Sequence, residues 1–424
     1  MKATGKEVVG ANVKFKLVCV SCSREYDPDT SPFTCPDCGS FKGTFDVIYP
    51  YEQIRTGFDG TLSNIRNKSV WEYFLPILPF KNLYSLPPLY VGGVPAFNSP
   101  NVSKYFGFEN LLFKDEGRNP SASMKDRATA VAIALAQESK MKSIAAASTG
   151  NAAASLATMS ASVGLKPILF VPKSIPKPKL AQLLIHGAEV IYLDCDYDTA
   201  FDLCQSACKK FGMYNRNTAV NPFTGEGKKT VALEIVSDLG EAPDAVICSV
   251  GDGCIIGGLY KGFYDLNKLG LIDRLPRLYG VQAEGAAPVA RAFSENSVIS
   301  PAKSVKTIAD SISVGHPRDG IKALRAARNT SGEIITVSDE AILNAQGMLA
   351  SKAGVFSEPA ASAAIAGFLK LREAKIIGKE EKIVVLITGH GLKDIDTTMN
   401  NIKSAVDITK PDMESIARKI EKYR

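Results

Sequence analysis

Short apolar runs alternate with longer segments of helical period along the chain from Leu111 onward. The short runs predict buried strands, and the longer segments predict helices. The predicted strands lie at residues 111–114, 143–148, 167–172, 189–194 and 245–250. Two predicted helices follow Ser123 and Asn151, and two more include Leu183 and Cys208. Because strands that alternate with helices form parallel sheets covered on both faces, the pattern predicts an α/β fold.

Length and composition restrict the class of protein. The chain of 424 residues is too long for one core of ordinary size and predicts two domains or more. Its 50 basic and 44 acidic residues are spread along the chain, so no nucleic-acid partner is expected. The amino-terminal MKATGKEVVGANVKFK lacks the apolar core of a signal peptide, and no apolar run approaches the roughly 18 residues of a membrane span. We therefore expect a cytoplasmic protein that makes no membrane contact.

Four of the nine cysteines form two Cys-x-x-Cys pairs near the amino terminus. Cys19 and Cys22 form the first pair, and Cys35 and Cys38 form the second. Two such pairs at this separation place four thiolates at the corners of a tetrahedron, which is the arrangement that zinc prefers. The alternatives are unpaired thiols or a ribbon without metal. The spacing favours a structural zinc site, because it suggests no open ligand position for catalysis.

A polar loop of Ser148, Thr149, Gly150 and Asn151 follows one predicted strand and enters a helix. In parallel sheets, ligands bind beyond the carboxyl ends of the strands, where such loops lie. The unpaired backbone amides of the helix start can hold an anion or a hydroxyl group. Ser148 or Asn151 can instead serve only as a cap of that helix. The loop alone leaves both interpretations open.

A glycine-rich loop, VGDGCIIGG at residues 250–258, also lies between a predicted strand and a predicted helix. Its glycines let backbone amides close on a phosphate group, and the helix start adds a favourable dipole. The loop lacks the GxGxxG spacing of dinucleotide-binding folds and the Gly-Lys-Thr of nucleotide-triphosphate loops. It is therefore compatible with phosphate binding and supports neither of those two cofactor classes.

A third loop follows the apolar run IVVLI and contains Thr388 and His390. The hydroxyl of Thr388 can hydrogen-bond an uncharged heteroatom. His390 stands between two glycines, which is more typical of a structural histidine than of a catalytic base. We therefore regard Thr388 as the candidate ligand-binding residue of this loop.

Lys125 lies at the first turn of the helix predicted after Ser123. One interpretation is a surface lysine that extends its ammonium to water beside a salt-bridged Asp126. The other is a nucleophile, because positive potential and apolar surroundings lower the pKa of a lysine and make the neutral amine accessible. A phosphate loop, a hydroxyl and an asparagine accompany this lysine, and together they are the parts that hold pyridoxal phosphate. This combination favours the nucleophile.

The chain resembles the threonine synthases of the tryptophan-synthase β-like group of pyridoxal phosphate enzymes, from about residue 15 to residue 396. The matching segments are KDEGRNPSASMKDR (114–127), ASTGNAAASLA (147–157), NPFTGEGKKT (221–230), GLIDRLPRLYGVQAEGAAP (270–288) and TGHGLKD (388–394). The resemblance implies two open, mostly parallel sheets covered by helices, a small zinc ribbon at the amino terminus, and a homodimer.

The resemblance also implies roles for individual residues. Lys125 binds the cofactor covalently, Asn151 bonds the ring hydroxyl, and Thr388 bonds the pyridine nitrogen. The cradle for the cofactor's phosphate consists of Gly251, Asp252, Gly253 and Cys254. The loop that holds the substrate carboxylate consists of Ser148, Thr149 and Gly150. A hydroxyl opposite the pyridine nitrogen leaves the ring unprotonated, which suits elimination and replacement chemistry.

Some positions depart from the family pattern. Family members usually carry Asn-Ala-Gly-Asn where this chain has residues 252–255, so an acidic Asp252 stands beside the expected phosphate. Polar or cationic residues of the family hold the substrate's phosphate at four positions that differ here. These positions are Ala152, Ala219, Thr224 and Ile255. Lys228 or Lys229 is the candidate for a substitute charge.

The expected activity is the conversion of O-phospho-L-homoserine and water to L-threonine and phosphate. The alternatives are a serine or threonine ammonia-lyase, a β-replacement enzyme that uses a serine derivative, and a catalytically silent protein on this fold. The expected domains are a zinc-ribbon segment, a large cofactor domain, a smaller mobile α/β domain and a carboxyl-terminal helix. They correspond in that order to residues 1–48, 49–110 with 221–400, 111–220, and 401–424.

Overall fold

The structure of the protein, a computed structural model, describes residues 14–29, 33–58, 69–173, 175, 177–302, 304–402 and 409–421. The strands are β1 (Lys16–Cys19), β2 (Glu25–Tyr26), β3 (Phe45–Ile48), β4 (Phe97–Asn98), β5 (Leu111–Asp115), β6 (Ser143–Ala147), β7 (Lys166–Pro172), β8 (Glu189–Leu193), β9 (Tyr214–Asn215), β10 (Ala245–Ser249), β11 (Arg277–Ala283), β12 (Ile334–Val337) and β13 (Ile383–Ile387).

Helices separate most of these strands. They are α1 (Gly39–Lys42), α2 (Tyr51–Arg55), α3 (Val70–Tyr73), α4 (Pro100–Phe106), α5 (Lys125–Glu138), α6 (Asn151–Val163), α7 (Lys177–Ile185), α8 (Tyr197–Phe211), α9 (Phe223–Leu239), α10 (Cys254–Lys268), α11 (Pro288–Ser294), α12 (Gly320–Asn329), α13 (Asp339–Ala353), α14 (Pro359–Glu373), α15 (Ile395–Asn401) and α16 (Met413–Glu421).

Two parallel sheets form the body of the molecule, and the predicted α/β fold is confirmed. The larger sheet has the strand order β12-β11-β10-β13-β5-β4, in which only β4 runs antiparallel to its neighbour. The smaller sheet has the order β8-β7-β6-β9 and is parallel throughout. All five residues of β10 and of β13 are buried, as expected for central strands that helices cover on both faces.

Strand β5 does not belong to the smaller sheet, although the sequence analysis began the smaller domain at residue 111. It pairs with β13, in a register that places Leu111 opposite Ile383. Strand and helix alternate regularly from β5 onward, so the sequence pattern alone groups β5 with the strands that follow it. Strand β5 is thus part of the larger sheet, and the domain boundaries stay a prediction.

A small antiparallel sheet, in the order β2-β1-β3, carries the amino-terminal cysteine pairs. Its strand β3 is attached to α12 by a paired contact in which both terminal nitrogens of Arg325 donate to the carboxylate of Asp46, at 2.6 and 2.9 Å. The Nζ of Lys322 also donates to the Phe45 carbonyl at 2.8 Å. The small sheet is therefore fixed to the larger body through α12.

Helix α9 packs closely against both α5 and α10. A Cβ atom at Gly227 would lie 2.1 Å from the carbonyl oxygen of Arg127, and a Cβ atom at Gly258 would lie 2.8 Å from the Cβ of Lys228. Both glycines therefore permit helix–helix distances that any larger residue would prevent. This packing fixes the position of α5, whose first residue is Lys125.

The structure describes only part of each end of the chain. Residues 1–13 of the predicted leaderless amino terminus lie outside the described residues. The predicted carboxyl-terminal helix appears as α16, whereas residues 403–408 and 422–424 lie outside the described residues. In the described ranges, no helix combines the length and the apolar character that crossing a membrane requires.

Candidate active site

A cavity of about 540 Å³ lies where β6, β10 and β13 end, between the two parallel sheets. All ten residues predicted for the cofactor and the substrate line this cavity, although they come from four separate loops and helix starts. They are Lys125, Ser148, Thr149, Gly150, Asn151, Gly251, Asp252, Gly253, Cys254 and Thr388. The volume is within the range of roughly 300–1,000 Å³ that is typical of small-molecule sites.

Lys125 begins α5 directly beside the end of β13. The backbone amide of Met124 donates to the carbonyl oxygen of Thr388 at 2.9 Å, which holds the first turn of α5 against this strand end. Burial, together with the positive charge of Lys228, lowers the pKa of Lys125 from its usual range to about 8. The pKa change has the direction that the sequence predicted.

The side chains that follow Lys125 do not form the surface salt bridge of the alternative interpretation. Asp126 is buried, and it accepts hydrogen bonds from the backbone amide of Ser121 at 2.6 Å and from the Ser121 hydroxyl. Burial raises the pKa of the Asp126 carboxyl. The ionic partner in this segment is Arg127, which binds Glu116 and Glu234 in the core.

Asn151 begins α6 and is held by a carboxylate that the sequence analysis missed. Its Nδ2 donates to both oxygens of Glu358, at 2.9 and 3.0 Å, and lies 3.3 Å from the hydroxyl oxygen of Ser311. Glu358 is buried, lines the cavity, and has a pKa raised by this burial. The Ser-Glu-Pro triplet that precedes the small-residue helix α14 was the available sequence signal for Glu358.

The glycine-rich loop before α10 has the backbone that a phosphate cradle needs. Gly253 adopts a φ of 95°, and a Cβ atom there would lie only 2.5 Å from the carbonyl oxygen of Asp319. The Asp252 side chain accepts a hydrogen bond from the backbone amide of Arg318 at 3.3 Å. Its carboxylate is therefore engaged with the neighbouring loop, and burial raises the pKa of this carboxyl.

The four positions that depart from the family pattern divide into two pairs. Ala152 and Ile255 line the cavity and offer only apolar side chains. Thr224 is buried, and its hydroxyl donates to the Asn221 carbonyl at 2.9 Å, whereas Ala219 is buried with a φ of 67°. The hydroxyl of Thr224 is therefore used in a backbone contact at the start of α9.

Two cations that the sequence analysis did not assign to the site line the same cavity. Arg216 is buried and donates to the hydroxyls of Thr129 and Thr218, and burial lowers its pKa to about 10. Lys228 is fully buried in α9 and also reaches the cavity. The segment NPFTGEGKKT pointed to Lys228 only as one of two possible lysines.

His390 has a structural contact, in agreement with the preferred interpretation of its sequence context. Its Nδ1 accepts a hydrogen bond from the backbone amide of Leu392 at 3.1 Å. The ring packs edge-on against Phe356, with 5.8 Å between the ring centroids. The imidazole of His390 therefore caps the turn that follows β13.

Comparison with known proteins identifies the class to which this fold and site correspond. A family model described as "Pyridoxal-phosphate dependent enzyme" matches residues 88–389, and the chain belongs to that family. The chain is 39% identical to the threonine synthase of Methanocaldococcus jannaschii, over 92% of this chain and 96% of that protein. It is 36% identical to the threonine synthase of Methanosarcina acetivorans, over 91% of this chain and 94% of that protein.

Solved structures support the fold independently. The chain superimposes on a fungal L-serine ammonia-lyase from Rhizomucor miehei with a TM-score of 0.64 and 19% identity, covering 74% of this chain and 99% of that chain. It superimposes on diaminopropionate ammonia lyase from Escherichia coli with a TM-score of 0.63 and 16% identity, covering 93% of this chain and 98% of that chain. The α/β architecture is thus that of known pyridoxal-phosphate enzymes.

The residues of the cavity fit pyridoxal phosphate. The cavity contains a lysine with a lowered pKa, a helix start with a glycine in the left-handed region, and the residue Thr388 with its hydroxyl. These features match the amine, phosphate and ring-nitrogen requirements of the cofactor.

The lowered pKa of Lys125 predicts how covalent attachment of the cofactor depends on pH. The neutral amine is the nucleophile, so attachment of pyridoxal phosphate to the cofactor-free protein should accelerate as the pH rises and level off above a midpoint near 8. Stopped-flow absorbance across this pH range measures the effect. A midpoint near the ordinary lysine value of about 10.4 would contradict the prediction.

A methyl group at position 253 should disturb the cradle. Gly253→Ala forces a positive φ on a residue with a side chain and directs its Cβ against the Asp319 carbonyl, so the loop must move. We expect the dissociation constant for pyridoxal phosphate, measured by fluorescence titration, to rise at least about tenfold.

Gly347→Ala is the matched control, because Gly347 lies in the exposed face of α13 and a Cβ there meets nothing within 4 Å. This change should leave cofactor affinity unaltered and raise stability by up to about 1 kcal/mol. Equal cofactor affinity in Gly253→Ala and Gly347→Ala would exclude a tight cradle at Gly253.

Proposed function

We propose that the protein catalyses the conversion of O-phospho-L-homoserine and water to L-threonine and phosphate. The observation that carries this proposal is the 39% identity to a threonine synthase over 92% of the chain. The convergence of Lys125, Asn151 and Thr388 on one cavity with a phosphate-type loop supports it further. A small amino acid is accordingly the substrate class.

The proposed roles follow from the chemistry of the residues. When bound, pyridoxal phosphate supplies an electron sink for negative charge on substrate carbons. Lys125 holds the cofactor covalently and moves protons at the α and β carbons of the substrate, for which a pKa of about 8 is suitable. Asn151, which Glu358 orients, would bond the ring hydroxyl of the bound cofactor, and Thr388 would bond its pyridine nitrogen.

The remaining roles concern the two anionic groups. The loop of Ser148, Thr149 and Gly150 binds the substrate carboxylate, supported by the unpaired amides at the start of α6. The Ser148 hydroxyl already accepts a hydrogen bond from the Gly150 amide at 3.2 Å, which shapes this loop. Residues 251–254, at the start of α10, would hold the phosphate of the cofactor.

Product analysis tests the proposed reaction. The full-length protein, saturated with pyridoxal phosphate, is given O-phospho-L-homoserine, L-serine or L-threonine in separate reactions. We expect phosphate and threonine from the first substrate and little 2-oxoacid from the other two. Formation of 2-oxoacid without phosphate release would reject the proposal and identify an ammonia-lyase, an activity for which the apolar Ala152 and Ile255 in the cavity give a reason.

We further propose that the four amino-terminal cysteines hold a structural zinc ion. Their Sγ atoms all lie within 4.8 Å of one another, and those of Cys22 and Cys35 are 3.8 Å apart. A tetrahedral site with Zn–S distances of about 2.3 Å has sulfur–sulfur distances of about 3.8 Å, so this donor set fits zinc.

Metal analysis of the purified protein should find one zinc ion per chain. Cys38→Ser should lose most of it, because a three-thiolate site binds the ion less tightly. Cys195→Ser, which alters a half-buried thiol outside the cluster, should retain it. A zinc content well below one per chain in the unaltered protein would refute the zinc proposal.

A homodimer in the cytoplasm completes the proposal. The support is the resemblance to threonine synthases. Light scattering coupled to size-exclusion chromatography tests the oligomeric state. A mass near the 45.4 kDa of one chain would reject the dimer.

A further inference from the structure

Lys228 is a buried cation in the wall of the cavity. Its side chain is fully buried and lines the cavity. In the part of the chain that the structure describes, its Nζ has no hydrogen-bond partner. Burying an ammonium without a partner is strongly unfavourable, so a residue of this kind indicates a ligand that supplies the missing negative charge.

The adjacent lysine, Lys229, shows the opposite arrangement. Its Nζ donates to Glu226, to Asp265 at 2.8 Å, and to the carbonyl of Ile77, and it lies 4.4 Å from the centre of the Tyr49 ring. Neighbouring residues of a helix point about 100° apart, so α9 directs one lysine into the core and the other into the cavity. Only Lys228 is therefore available to a ligand.

The surroundings of Lys228 indicate where that ligand lies. Its positive charge acts on both Asp252 and Cys254, the residues on either side of Gly253 at the start of α10. The carboxylate of Asp319 also lies against Cys254, and one of its oxygens is 3.7 Å from the ammonium of Lys322. A phosphate at this helix start would therefore meet two carboxylates, and the helix dipole offers only about half a positive charge against them.

The other cations near this loop are already engaged. Arg318 pairs with Asp198 at 2.6 Å, and Lys322 donates to the Phe45 carbonyl at 2.8 Å. Arg216 donates to the hydroxyls of Thr129 and Thr218. Among these cations, Lys228 is the one whose ammonium has no hydrogen-bond partner in the described part of the chain, so it is available to a bound phosphate.

We propose that Lys228 is a phosphate-binding residue of the active site, whose ammonium holds the phosphate group that binds at the start of α10. This inference rests on the proposed function, because pyridoxal phosphate and O-phosphohomoserine each bring a phosphate group to the cavity. The electrostatic influence of Lys228 on Asp252 and Cys254, which line the same cavity, favours the phosphate of the cofactor.

The first experiment compares two cofactor forms that differ only in the phosphate. Dissociation constants for pyridoxal phosphate and for pyridoxal are measured on the full-length, cofactor-free protein and on Lys228→Met. We expect the change to weaken pyridoxal phosphate binding about 10- to 100-fold, which is the size of one charge-assisted hydrogen bond. Pyridoxal reports the effect that does not involve the phosphate, namely the loss of a positive charge near Lys125, so its binding should weaken much less than that of pyridoxal phosphate.

The second experiment distinguishes the two sources of phosphate. With both proteins saturated by pyridoxal phosphate, KM for O-phosphohomoserine and the inhibition constant of inorganic phosphate are compared. A rise of tenfold or more in these two constants, with unchanged cofactor affinity, would assign Lys228 to the substrate's phosphate. Constants that stay the same for cofactor, substrate and inorganic phosphate would overturn the inference.

The melting temperature separates ligand binding from a structural role. Because the ammonium has no partner, cofactor-free Lys228→Met should melt at the same temperature as the unaltered protein or higher, while pyridoxal phosphate should raise its melting temperature less. A lower melting temperature of the cofactor-free variant with unaltered cofactor affinity would overturn the inference. If the unaltered protein binds no pyridoxal phosphate, the proposed function itself fails.

Discussion

Replacing Lys125 by alanine should reduce turnover at least about 10³-fold and remove the absorption band that covalently attached pyridoxal phosphate gives near the edge of the visible range. The effect is large because the Lys125 side chain has two roles in the proposed reaction. Its amine holds the cofactor, and the same amine moves protons at the substrate carbons. Its pKa of about 8, caused by burial and by Lys228, keeps a useful fraction of the amine neutral near physiological pH.

Absorbance spectra and steady-state rates of the purified variant measure both effects. Lys142→Ala serves as the control, because it removes an exposed lysine shortly after α5 and should preserve the band and the rate. Circular dichroism should show that Lys125→Ala keeps its secondary structure, since the lysine makes no ion pair among the described residues. Persistence of the visible band in Lys125→Ala would mean that another amine holds the cofactor.

The largest expected effect on stability belongs to Arg127, which is completely buried two residues after Lys125. Its guanidinium donates to Glu116 at 2.6 and 2.7 Å, to Glu234 at 2.5 and 3.1 Å, and to the Thr230 hydroxyl at 2.9 Å. Arg127→Met would leave two carboxylates in the core without their shared partner. We expect a loss of about 3–5 kcal/mol in the free energy of unfolding.

Denaturant titration of the cofactor-free protein measures this loss. Arg118→Met is the matched control, because the Arg118 side chain is 62% exposed and contacts Asp115 only at 3.4 Å, so the change should stay within about 0.5 kcal/mol. Arg127→Lys should recover only part of the loss, since an ammonium cannot bind two carboxylates with the fork of a guanidinium. Equal stability of Arg127→Met and Arg118→Met would show that the buried cluster contributes nothing to folding.

The Arg127 cluster also supports the site. Lys114 pairs with the same Glu234 at 2.9 Å, and the amide of Gly93 donates to Glu234 at 2.8 Å. The cluster thus joins β5, α5, α9 and the loop before β4, and it holds α5 in the orientation that directs Lys125 into the cavity. A partial loss of cofactor affinity should therefore accompany the instability of Arg127→Met.

Sequence reasoning located most of the candidate site because the relevant residues lie at strand ends. A parallel sheet brings the carboxyl ends of its strands to one edge, so Gly251 after β10 and Thr388 after β13 were expected to converge. Asn151 follows β6 of the smaller sheet, and the way the two sheets face each other brings it to the same cavity. Glu358, Arg216 and Lys228 were missed or left ambiguous. Arg216 directly follows β9, Glu358 directly precedes α14, and Lys228 lies within α9. At none of these positions does the local sequence show whether the charge faces water, the core or a cavity.

The sequence by itself determined the alternation of strands and helices, the paired cysteines and the candidate lysine, because these are local patterns of residue type and spacing. Only the tertiary structure decided that β5 joins β13, that Lys229 pairs in the core while Lys228 faces the cavity, and that Glu358 orients Asn151. These outcomes depend on contacts between residues far apart in the chain. The energy of a buried charge is set by such partners, and no local pattern specifies them.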